Sequence, residues 1–495
     1  MSRRFVPAAV FLIALVALLA TKGSDCLPLP QADAVRAAKA DDTVARQLRT
    51  YGYNHTRVTR LDSTSDRVAF FDGSRIRAVA AVDDHGQVQH TQIFRPGEPR
   101  YGSKTSDSPW LIALLSLCFV AATATRPIRS VRNLDVLALL AFGIPIVAGD
   151  HQLFELSILS GYPPLAYLCG RCIWRATKGP GPPAHPLVER LPARYIVAAA
   201  ILLAAIAVGS SSAIDVGFAS TAGATLLLHG TVPYGHMPAD VVHGDTYPLL
   251  NYVLYIPAAA IAPVRDAFDD TSGALLIGLA AALLTALSMR TARLTLAWLC
   301  FPPVAVAVAA GTNDLLLAAA TAAALALASR PGRSATALTA GVWIKLAPLA
   351  LLPVWLARTR GGGWRAVAGL SAAMTGLLLL LGGPAAIGDM AHALSFQLER
   401  GTLQSAWALT GTEWLQPVAQ AAVLGGVAYA ALRADGAPLA ATTGAILAAL
   451  QLTASNWTYL YVVWLFPALA FALLQSATRD RAAQATRSPL QRAAR

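Results

Sequence analysis

Charged residues are scarce in this sequence. Only 13% of the 495 residues are Asp, Glu, Lys or Arg, 55% are hydrophobic, and the mean hydropathy is +0.52. A soluble domain carries about 25% charged residues, so the composition excludes a water-soluble protein for most of the chain. Many apolar runs reach the roughly 20 residues that a helix needs to cross a bilayer, and short alternating segments of a membrane β-barrel are lacking. The sequence predicts a polytopic helical membrane protein.

Cysteines and familiar cofactor motifs are also few. The five cysteines form no framework, and Cys169 and Cys172 make a CxxC inside an apolar run without a second pair. His229, His236 and His243 do not have the spacing of the helical zinc motif HExxH. A phosphate-cradling glycine loop and a G-x-S-x-G element are missing. We therefore expect no metal or other cofactor, and soluble ATP or nucleotide-sugar chemistry is disfavoured.

The basic residues lie mostly in short links between apolar runs. The net charge is +12, and its main carriers are RPIRSVR at 126–132, the link at 171–194, ARTRGGGWR at 357–365 and the tail from Arg479. Positive links of this kind stay on the cytoplasmic side of a membrane. The charge therefore predicts topology and gives no reason to expect nucleic acid as a partner.

The first part of the chain predicts an anchor and one small domain. Residues 1–21 join two arginines to an apolar run without a good A-x-A site, which favours an uncleaved membrane anchor that delivers 22–108 outside. Residues 31–52 have the pattern of one amphipathic helix, and β-prone runs around two Gly-centred turns follow at 67–95. Because 22–108 shows no nucleophile–base set, we expect a small extracytoplasmic α+β domain that docks a protein partner.

The remaining chain divides into three parts. Residues 109–193 carry additional transmembrane helices and a basic cytoplasmic link, 194–475 form the main membrane core, and 476–495 are a basic cytoplasmic tail. We expect an all-α polytopic protein of the plasma membrane, with about 11–14 transmembrane or half-membrane helices and the α+β domain inserted after the first helix.

Two segments of the core do not fit simple counting of spans. If 247–264 crossed fully, the pairs Arg290/Arg293 and Arg330/Arg333 would lie outside, against the positive-inside rule. Both pairs become internal if 247–264 is a broken or non-crossing segment. The sequence therefore predicts such a break.

The second exception is the segment 335–357. It is interrupted at Lys345 and Pro348, and we expect a hairpin of two half-helices there. Broken helices at membrane depth are tolerated where they are buried in protein or line a cavity. With both exceptions, the candidate polar groups share the external face: the Asp215 loop, Asn313–Asp314, the loop at 384–413 and Asn456–Trp457.

The stretch from Asp215 to Pro257 carries the densest set of ionisable and aromatic residues near a predicted membrane mouth. Such groups are costly at that depth and indicate a functional site, whereas a solvated loop is the alternative. Asp215 directly follows a predicted span. Partial desolvation there would raise the pKa of its carboxylate and suit it to accept a proton from a hydroxyl. Alternatively, Asp215 caps the helix that follows.

Two cationic side chains are candidates for holding a phosphate. Arg400 lies on an amphipathic stretch with Gln404, and a guanidinium matches phosphate oxygens at a water-poor interface; an interfacial anchor is the alternative. Lys345 is the one lysine in an apolar run and needs a partner. That partner is either a lipid-linked phosphate or a structural one, such as a buried carboxylate.

Later polar and aromatic residues allow two interpretations each. Asn313 and Asp314 form a second polar contact or cap the helix that follows. Trp457, Tyr459 and Tyr461 open the last apolar run, where such residues more often form an aromatic belt than a sugar platform.

Taken together, these motifs resemble the GT-C superfold of integral-membrane glycosyltransferases, and within it the polyprenyl-phosphate-mannose-dependent mannosyltransferases of glycosyltransferase family 87 of actinobacteria. The resemblance covers about 194–475. The matching elements, in order, are Asp215 before a small-residue helix and L-x-x-G-x-x-x-Y ending at Tyr234, YPLLNYVLYIP at 247–257, GTND at 311–314, R-x-G-R at 330–333, G-x-x-x-K-x-x-P at 341–348, Arg400–Gly401 and NW-x-Y at 456–459.

This resemblance implies an inverting transfer of a sugar, mannose or another hexose or pentose, at the extracytoplasmic face. The donor would be a polyprenyl-phosphate sugar and the acceptor a cell-envelope glycolipid or polysaccharide, with membrane lipid around both. Asp215 would be the general base, and Arg400 and Lys345 would hold the donor phosphate. Further contacts to sugar or acceptor are assigned to Tyr234, His236, Asp245, Tyr247, Asn313, Asp314, Gln404 and Trp457.

Two other functions fit parts of the sequence. Broken helices and an intramembrane lysine also suit a transporter or lipid-binding protein. A catalytically silent scaffold that recruits partners through 22–108 is the third reading.

Overall fold

The computed structural model describes thirteen stretches of the chain. They are 29–60, 65–73, 75–93, 108–151, 153–179, 185–189, 191–210, 213–238, 244–265, 271–359, 361–399, 404–434 and 438–475. The predicted anchor at 1–21, the tail at 476–495 and the predicted phosphate ligand Arg400 lie outside these residues.

The N-terminal region has two helices where the sequence predicted one. α1 (Gln31–Ala40) and α2 (Asp42–Tyr51) are separated at Asp41, whose backbone is extended. The Asp41 carboxylate accepts the backbone N–H groups of Thr43 and Val44, both at 3.0 Å. The single-helix prediction is wrong because Asp competes with the helix and caps a new one.

A four-stranded antiparallel sheet follows, in the order β1–β2–β3–β4. Its strands are β1 (His55–Arg60), β2 (Ser65–Asp72), β3 (Arg75–Asp83) and β4 (Val88–Ile93). Gly73 and Gly86 adopt φ of 58° and 78° in the two predicted turns, which confirms those turns. The edge strand β1 was not predicted, because the predicted β-prone runs start at 67.

Each face of the sheet is covered. On one face, Val68 and Phe70 pack in a cluster with Ala34 and Val44 of the two helices. On the other face, the centre of the Phe71 ring lies 6.0 Å from the centre of the Phe154 ring in the helical part of the chain. The α+β domain is therefore packed directly on the helices.

The helical part contains twenty α-helices among the residues that the structure describes. They are α3 (Pro109–Thr123), α4 (Val131–Leu140), α5 (Gly143–Asp150), α6 (Phe154–Leu159), α7 (Tyr162–Lys178), α8 (Ala193–Gly209), α9 (Asp215–Leu228), α10 (Leu249–Ile261), α11 (Ser272–Ser288), α12 (Ala292–Leu299), α13 (Pro302–Ala310), α14 (Asp314–Ala326), α15 (Pro331–Ile344), α16 (Leu352–Thr359), α17 (Gly361–Gly382), α18 (Ala385–Glu399), α19 (Ala406–Thr410), α20 (Gln416–Leu432), α21 (Leu439–Thr453) and α22 (Val462–Leu469). A short ribbon joins β5 (Thr125–Arg126) to β6 (His185–Pro186), and single turns of 3-10 or π-helix occur at Ala347–Leu351, Glu413–Leu415, Tyr459–Tyr461 and Ala470–Leu474.

Three helical stretches of the described chain are long and apolar enough to cross a membrane: Val131–Asp150, Gly362–Gly382 and Glu413–Leu432. A fourth is possible if α12 and α13, bent by 55°, act as one span. The other apolar helices have 10–17 residues. Leu380 in α17 is 82% exposed, and large exposed apolar side chains on a helix indicate contact with lipid. The described chain is mostly helical with a small sheet, which is consistent with a helical membrane protein.

Arginines from distant parts of the chain collect at one end of the bundle. β5, with Arg126, pairs with β6. Arg293 donates to the backbone carbonyls of 188–189. Arg290 donates to those of 325–326, just before Arg330. We call this the arginine end, defined by Arg126, Arg132, Arg290, Arg293 and Arg330. The interpretation of 247–264 as a non-crossing segment requires these arginines to lie at one end of the bundle, and they do.

The candidate polar residues lie at the opposite end. α8 starts beside the arginine end and rises about 25 Å over its 17 residues. Beyond it, Ile214 N–H donates to the Ala310 carbonyl at 2.9 Å. α15 likewise runs from Arg330 to Lys345. We call this opposite end the polar end, defined by Asp215, Asn313, Asp314, Lys345 and Trp457.

The interruption predicted in 335–357 is present. In 247–264 the structure has one continuous helix, α10, which has 13 residues with Pro257 inside it and is about 20 Å long at 1.5 Å per residue; its non-crossing interpretation stays a prediction. α15 stops at Ile344, and Lys345 is extended, with φ −154° and ψ 140°. A 3-10 turn (Ala347–Leu351) then leads into α16. The bend between α12 and α13, followed by Pro302 and Pro303, was not predicted.

Candidate functional site

Asp215 is the first residue of α9 and is exposed at the polar end. Its carboxylate accepts the N–H of Val216 at 2.8 Å. Ile214 occupies the N-cap position, so Asp215 is an acidic residue of the first turn, where the helix dipole favours negative charge. The sequence led us to expect partial desolvation of the Asp215 carboxylate. In the structure Asp215 is exposed, and the neighbouring Ile214 is buried instead.

Two glycines fix the start of α9 against the turn before Asn313. A Cβ atom added at Gly217 would lie 2.5 Å from the carbonyl oxygen of Gly311. Gly311 itself adopts φ 61° and ends α13. This approach is possible only without side chains, and it sets Asp215 beside the GTND motif.

Hydrogen bonds among two buried side-chain amides and a hydroxyl connect α9, α10 and the residue before α14. Asn251 Nδ2 donates to Ser220 Oγ at 2.9 Å, and Asn313 Nδ2 donates to Asn251 Oδ1 at 3.0 Å. All three residues are fully buried. Asn313 Oδ1 is buried with no hydrogen-bond partner in the described part of the chain. The network thus leaves an acceptor open inside the bundle, below Asp215.

Lys345 has a structural partner. Its Nζ donates to Asp314 Oδ1 at 2.6 Å and lies 4.5 Å from the centre of the Tyr461 ring. Thr312 Oγ1 donates to Asp314 Oδ2 at 2.7 Å. Asp314 is 2% exposed, and the Lys345 side chain is 19% exposed. Of the two partners considered for Lys345, the buried carboxylate is present, and Asp314 is a polar contact as well as the start of α14.

Four of the predicted contact residues lie in the described parts of one loop, 231–238 and 244–248, which we call the tyrosine loop. Tyr234 is fully buried, and its hydroxyl donates to the Tyr247 carbonyl at 3.0 Å. The Asp245 carboxylate accepts Gly235 N–H at 3.0 Å, and His236 is exposed, with Nδ1 2.8 Å from the Tyr234 carbonyl. Burial, assisted by the nearby Asp245 charge, raises the pKa of Tyr234. Its phenol therefore remains a donor that holds the loop.

This loop is tied to the segment that leads to Arg400. Gln397, in the last turn of α18, donates from Nε2 to Thr246 Oγ1 at 2.8 Å. Tyr252 on α10 also supports the loop, because its hydroxyl donates to the Gly244 carbonyl at 2.8 Å. Asn251 and Tyr252 are consecutive, so α10 joins the loop to the buried amide network.

Trp457 is a packing residue in this structure. Its ring is 0% exposed, lies 5.7 Å from the ring of Tyr162 and covers the backbone of Gly161 so closely that no Cβ would fit. Its backbone N–H donates to the Gln404 carbonyl. The aromatic-belt interpretation is wrong for Trp457 and Tyr459, since both are buried in the protein, and the Trp457 ring offers no open face to a sugar.

The structure thus brings the predicted residues together in two groups at one end. In one group, Asn313 and Asp314 follow the turn that contacts α9 at Gly217, and Lys345 pairs with Asp314. The other group is the tyrosine loop, which α10 joins to the first.

Sequence reasoning missed Ser220, Asn251 and Thr312, which complete these buried contacts. It also missed the buried Gln451, which accepts the indole N–H of Trp457 at 3.3 Å and donates to the Tyr461 carbonyl at 2.9 Å. Asn251 carried a signal, because it is an amide inside the apolar run YPLLNYVLYIP.

The described residues contain no group of three or more His, Cys, Asp or Glu side chains placed to hold a metal ion. The polar end presents an exposed carboxylate, buried amides, an ion pair and phenols.

Comparisons with known proteins give this chain no family. No family model, no curated protein and no solved structure matches it.

Proposed function

We propose that this protein is a membrane glycosyltransferase that acts at the polar end with a polyprenyl-phosphate sugar as donor. One observation carries the proposal: an exposed carboxylate, Asp215, is fixed by Gly217 and Gly311 above a buried polar network, opposite the arginine end. By the positive-inside rule the arginine end faces the cytoplasm, which puts Asp215 and the α+β domain on the extracytoplasmic side, where lipid-linked sugars and envelope acceptors meet.

In the proposed reaction, Asp215 takes the proton of an acceptor hydroxyl. The acceptor oxygen forms a bond to the anomeric carbon from the face opposite the phosphate, while the bond from that carbon to the phosphate oxygen breaks. The electron pair leaves with polyprenyl phosphate, and the configuration at the sugar is inverted. Acceptors are glycolipids or polysaccharides of the envelope.

The leaving phosphate needs positive charge. Lys345 already neutralises Asp314, with its Nζ 2.6 Å from Oδ1. Arg400 would therefore make the larger contribution to phosphate binding, and Lys345 would order the residues below Asp215. Gln397, three residues before Arg400, contacts Thr246. This contact connects the end of α18, which leads to Arg400, to the tyrosine loop, which would receive the acceptor.

The Asp314–Lys345 pair favours a second candidate, a transporter. An ion pair at a helix break inside the membrane region is a feature of coupling sites in secondary transporters. In that case the polar end would be an entrance, and no sugar transfer would occur.

The test compares three proteins purified in lipid, each given radiolabelled polyprenyl-phosphate mannose and a membrane glycolipid extract. They are wild type, Asp215→Asn and the control Glu413→Gln, which removes another exposed acid from the first turn of a helical element at the polar end. A general base contributes about 100-fold to 10,000-fold, so we expect Asp215→Asn to lose at least about 100-fold in transfer rate, and Glu413→Gln to retain it.

Transfer by Asp215→Asn at the wild-type rate would remove Asp215 as the base. Absence of transfer by all three proteins, together with uptake of labelled lipid or solute into proteoliposomes, would favour the transporter.

A further inference from the structure

The arginine end contains a cluster of guanidinium groups around a single buried carboxylate. Arg171 donates to both oxygens of Asp135, from Nε at 2.7 Å and from Nη2 at 3.0 Å. Tyr167 donates its hydroxyl to the same carboxylate at 2.8 Å. Asp135 is 0% exposed. Its charge and its lone pairs are therefore committed to Arg171 and Tyr167.

Three further arginines lie near this pair, and none of them forms an ion pair with a carboxylate among the described residues. Arg132 lies one helical turn before Asp135 on α4, and Arg175 lies one turn after Arg171 on α7, so both neighbour the pair. Arg293 lies within electrostatic range of Arg132. Arg132 donates from Nη2 to the carbonyl of Leu474, and Arg293 donates to backbone carbonyls only. Since carbonyls carry no net charge, three positive charges remain uncompensated among the described residues of this cluster.

Each of these three guanidinium groups also keeps a buried nitrogen with no hydrogen-bond partner in the described part of the chain: Arg132 Nε, Arg175 Nε and Arg293 Nη1. A buried donor without an acceptor is costly, and a charged one more so. These three donors are carried by separate helices, α4, α7 and α12. An acceptor with several oxygens and negative charge would satisfy them together.

We propose that the cluster of Arg132, Arg175 and Arg293 binds a phosphate group at the arginine end. Guanidinium forks match the tetrahedral oxygens of phosphate. Basic pockets between helices at the cytoplasmic face commonly take anionic lipid headgroups, so the source is the headgroup of an anionic phospholipid or inorganic phosphate. This site is separate from Asp215 and independent of the proposed transferase activity.

The main test measures lipid affinity by native mass spectrometry of the full chain in neutral detergent. Phosphatidylglycerol and phosphatidylcholine are titrated into wild type, R132Q/R175Q and the control R126Q/R129Q, which removes two exposed arginines from the same end. Each arginine near an anionic headgroup contributes roughly a fivefold gain in affinity. We therefore expect R132Q/R175Q to bind phosphatidylglycerol about 25-fold more weakly, with phosphatidylcholine binding unchanged.

The control separates a built site from general attraction. R126Q/R129Q should keep the wild-type affinity for phosphatidylglycerol. Equal loss in both double variants would overturn the proposal, and no loss in either variant would rule out the lipid headgroup as the source. Size-exclusion chromatography checks that the variants are folded, and if R132Q/R175Q aggregates, R175Q is compared with the charge-retaining R175K, of which only R175Q should lose affinity.

A second arm distinguishes the two phosphate sources. Inorganic phosphate is added to wild type and R132Q/R175Q in neutral detergent, and the Tm of each is recorded with and without phosphatidylglycerol. A rise in wild type with phosphatidylglycerol alone assigns the site to lipid, and a rise with inorganic phosphate that the lipid does not increase assigns it to free phosphate. A Tm that neither addition raises in wild type contradicts the proposal.

Discussion

At the scale of single residues, the Asp314–Lys345 pair is the most consequential contact. The two residues lie 31 positions apart in sequence, and the aliphatic run around Lys345 gives no hint of which carboxylate it meets. Its need for a partner could be predicted from the cost of an isolated charge; the identity of the partner could not, because it depends on how α14 and α15 pack.

We predict that Lys345→Met destabilises the protein strongly. It leaves Asp314 buried without its counter-charge, a change that costs about 3–5 kcal/mol. The Tm in detergent should fall for Lys345→Met and for Asp314→Asn, and the double variant D314N/K345M should recover part of the loss. A double variant as unstable as the sum of the two single variants would show that the pair is not coupled.

The buried amide network shows the same limit. Ser220, Asn251 and Asn313 come from three helices, and only Asn251 differs visibly from its apolar surroundings in sequence. Polar residues in apolar runs can thus be marked from sequence, but their pairing requires the fold.

At the scale of elements, the interruptions were more predictable than the contacts. The break at Lys345 could be predicted because Lys345 and Pro348 interrupt an apolar run. The non-crossing interpretation of 247–264 came from counting basic links, and α10 itself contains no break. The division of 31–52 at Asp41 was missed because the apolar periodicity continues across it, and only the local capping bonds end the first helix.

The crossing of α9 and the α13–α14 turn gives an element-scale prediction. Gly217→Ala should lower the Tm by the equivalent of about 1–3 kcal/mol, the range for an overpacked core, because the new methyl group meets the Gly311 carbonyl at 2.5 Å. Thermal unfolding in detergent is the measurement.

Gly376→Ala is the matched control. Gly376 lies inside α17, and a Cβ there meets nothing within 4 Å; Ala in a helix is favoured over Gly by roughly 0.5–1 kcal/mol. Its Tm should be unchanged or raised. If Gly217→Ala behaves like this control, the close approach of the two glycines is not needed for folding.

At the scale of the whole molecule, the separation of charge into two ends defines the orientation. The bundle carries Arg126, Arg290 and Arg330 at one end and Asp215 at the other. The composition predicted a membrane protein, and exposed side chains such as Leu380 agree with it. The α+β domain packs near the polar end, because its Phe71 contacts Phe154 of α6, and α6 leads to Gly161, which the Trp457 ring covers.

Orientation can be measured with single cysteines in a chain whose native cysteines are replaced by serine. In intact cells, Glu413→Cys should react with a membrane-impermeant maleimide, whereas Arg126→Cys should react only after the membrane is opened. Both residues are exposed, so access to reagent depends on the side of the membrane. The reverse labelling pattern would place Asp215 in the cytoplasm and remove the proposed donor and acceptor.

The attachment of the sheet to α6 has a consequence for anything that the domain binds. The Phe71–Phe154 ring contact and the Arg57–Glu155 ion pair, at 2.6 Å, fix the domain to the bundle. A molecule held by the sheet is then confined near the polar end instead of diffusing to it. Confinement of this kind corresponds to a local concentration on the order of millimolar. The domain would thus raise the local concentration of its ligand at the polar end.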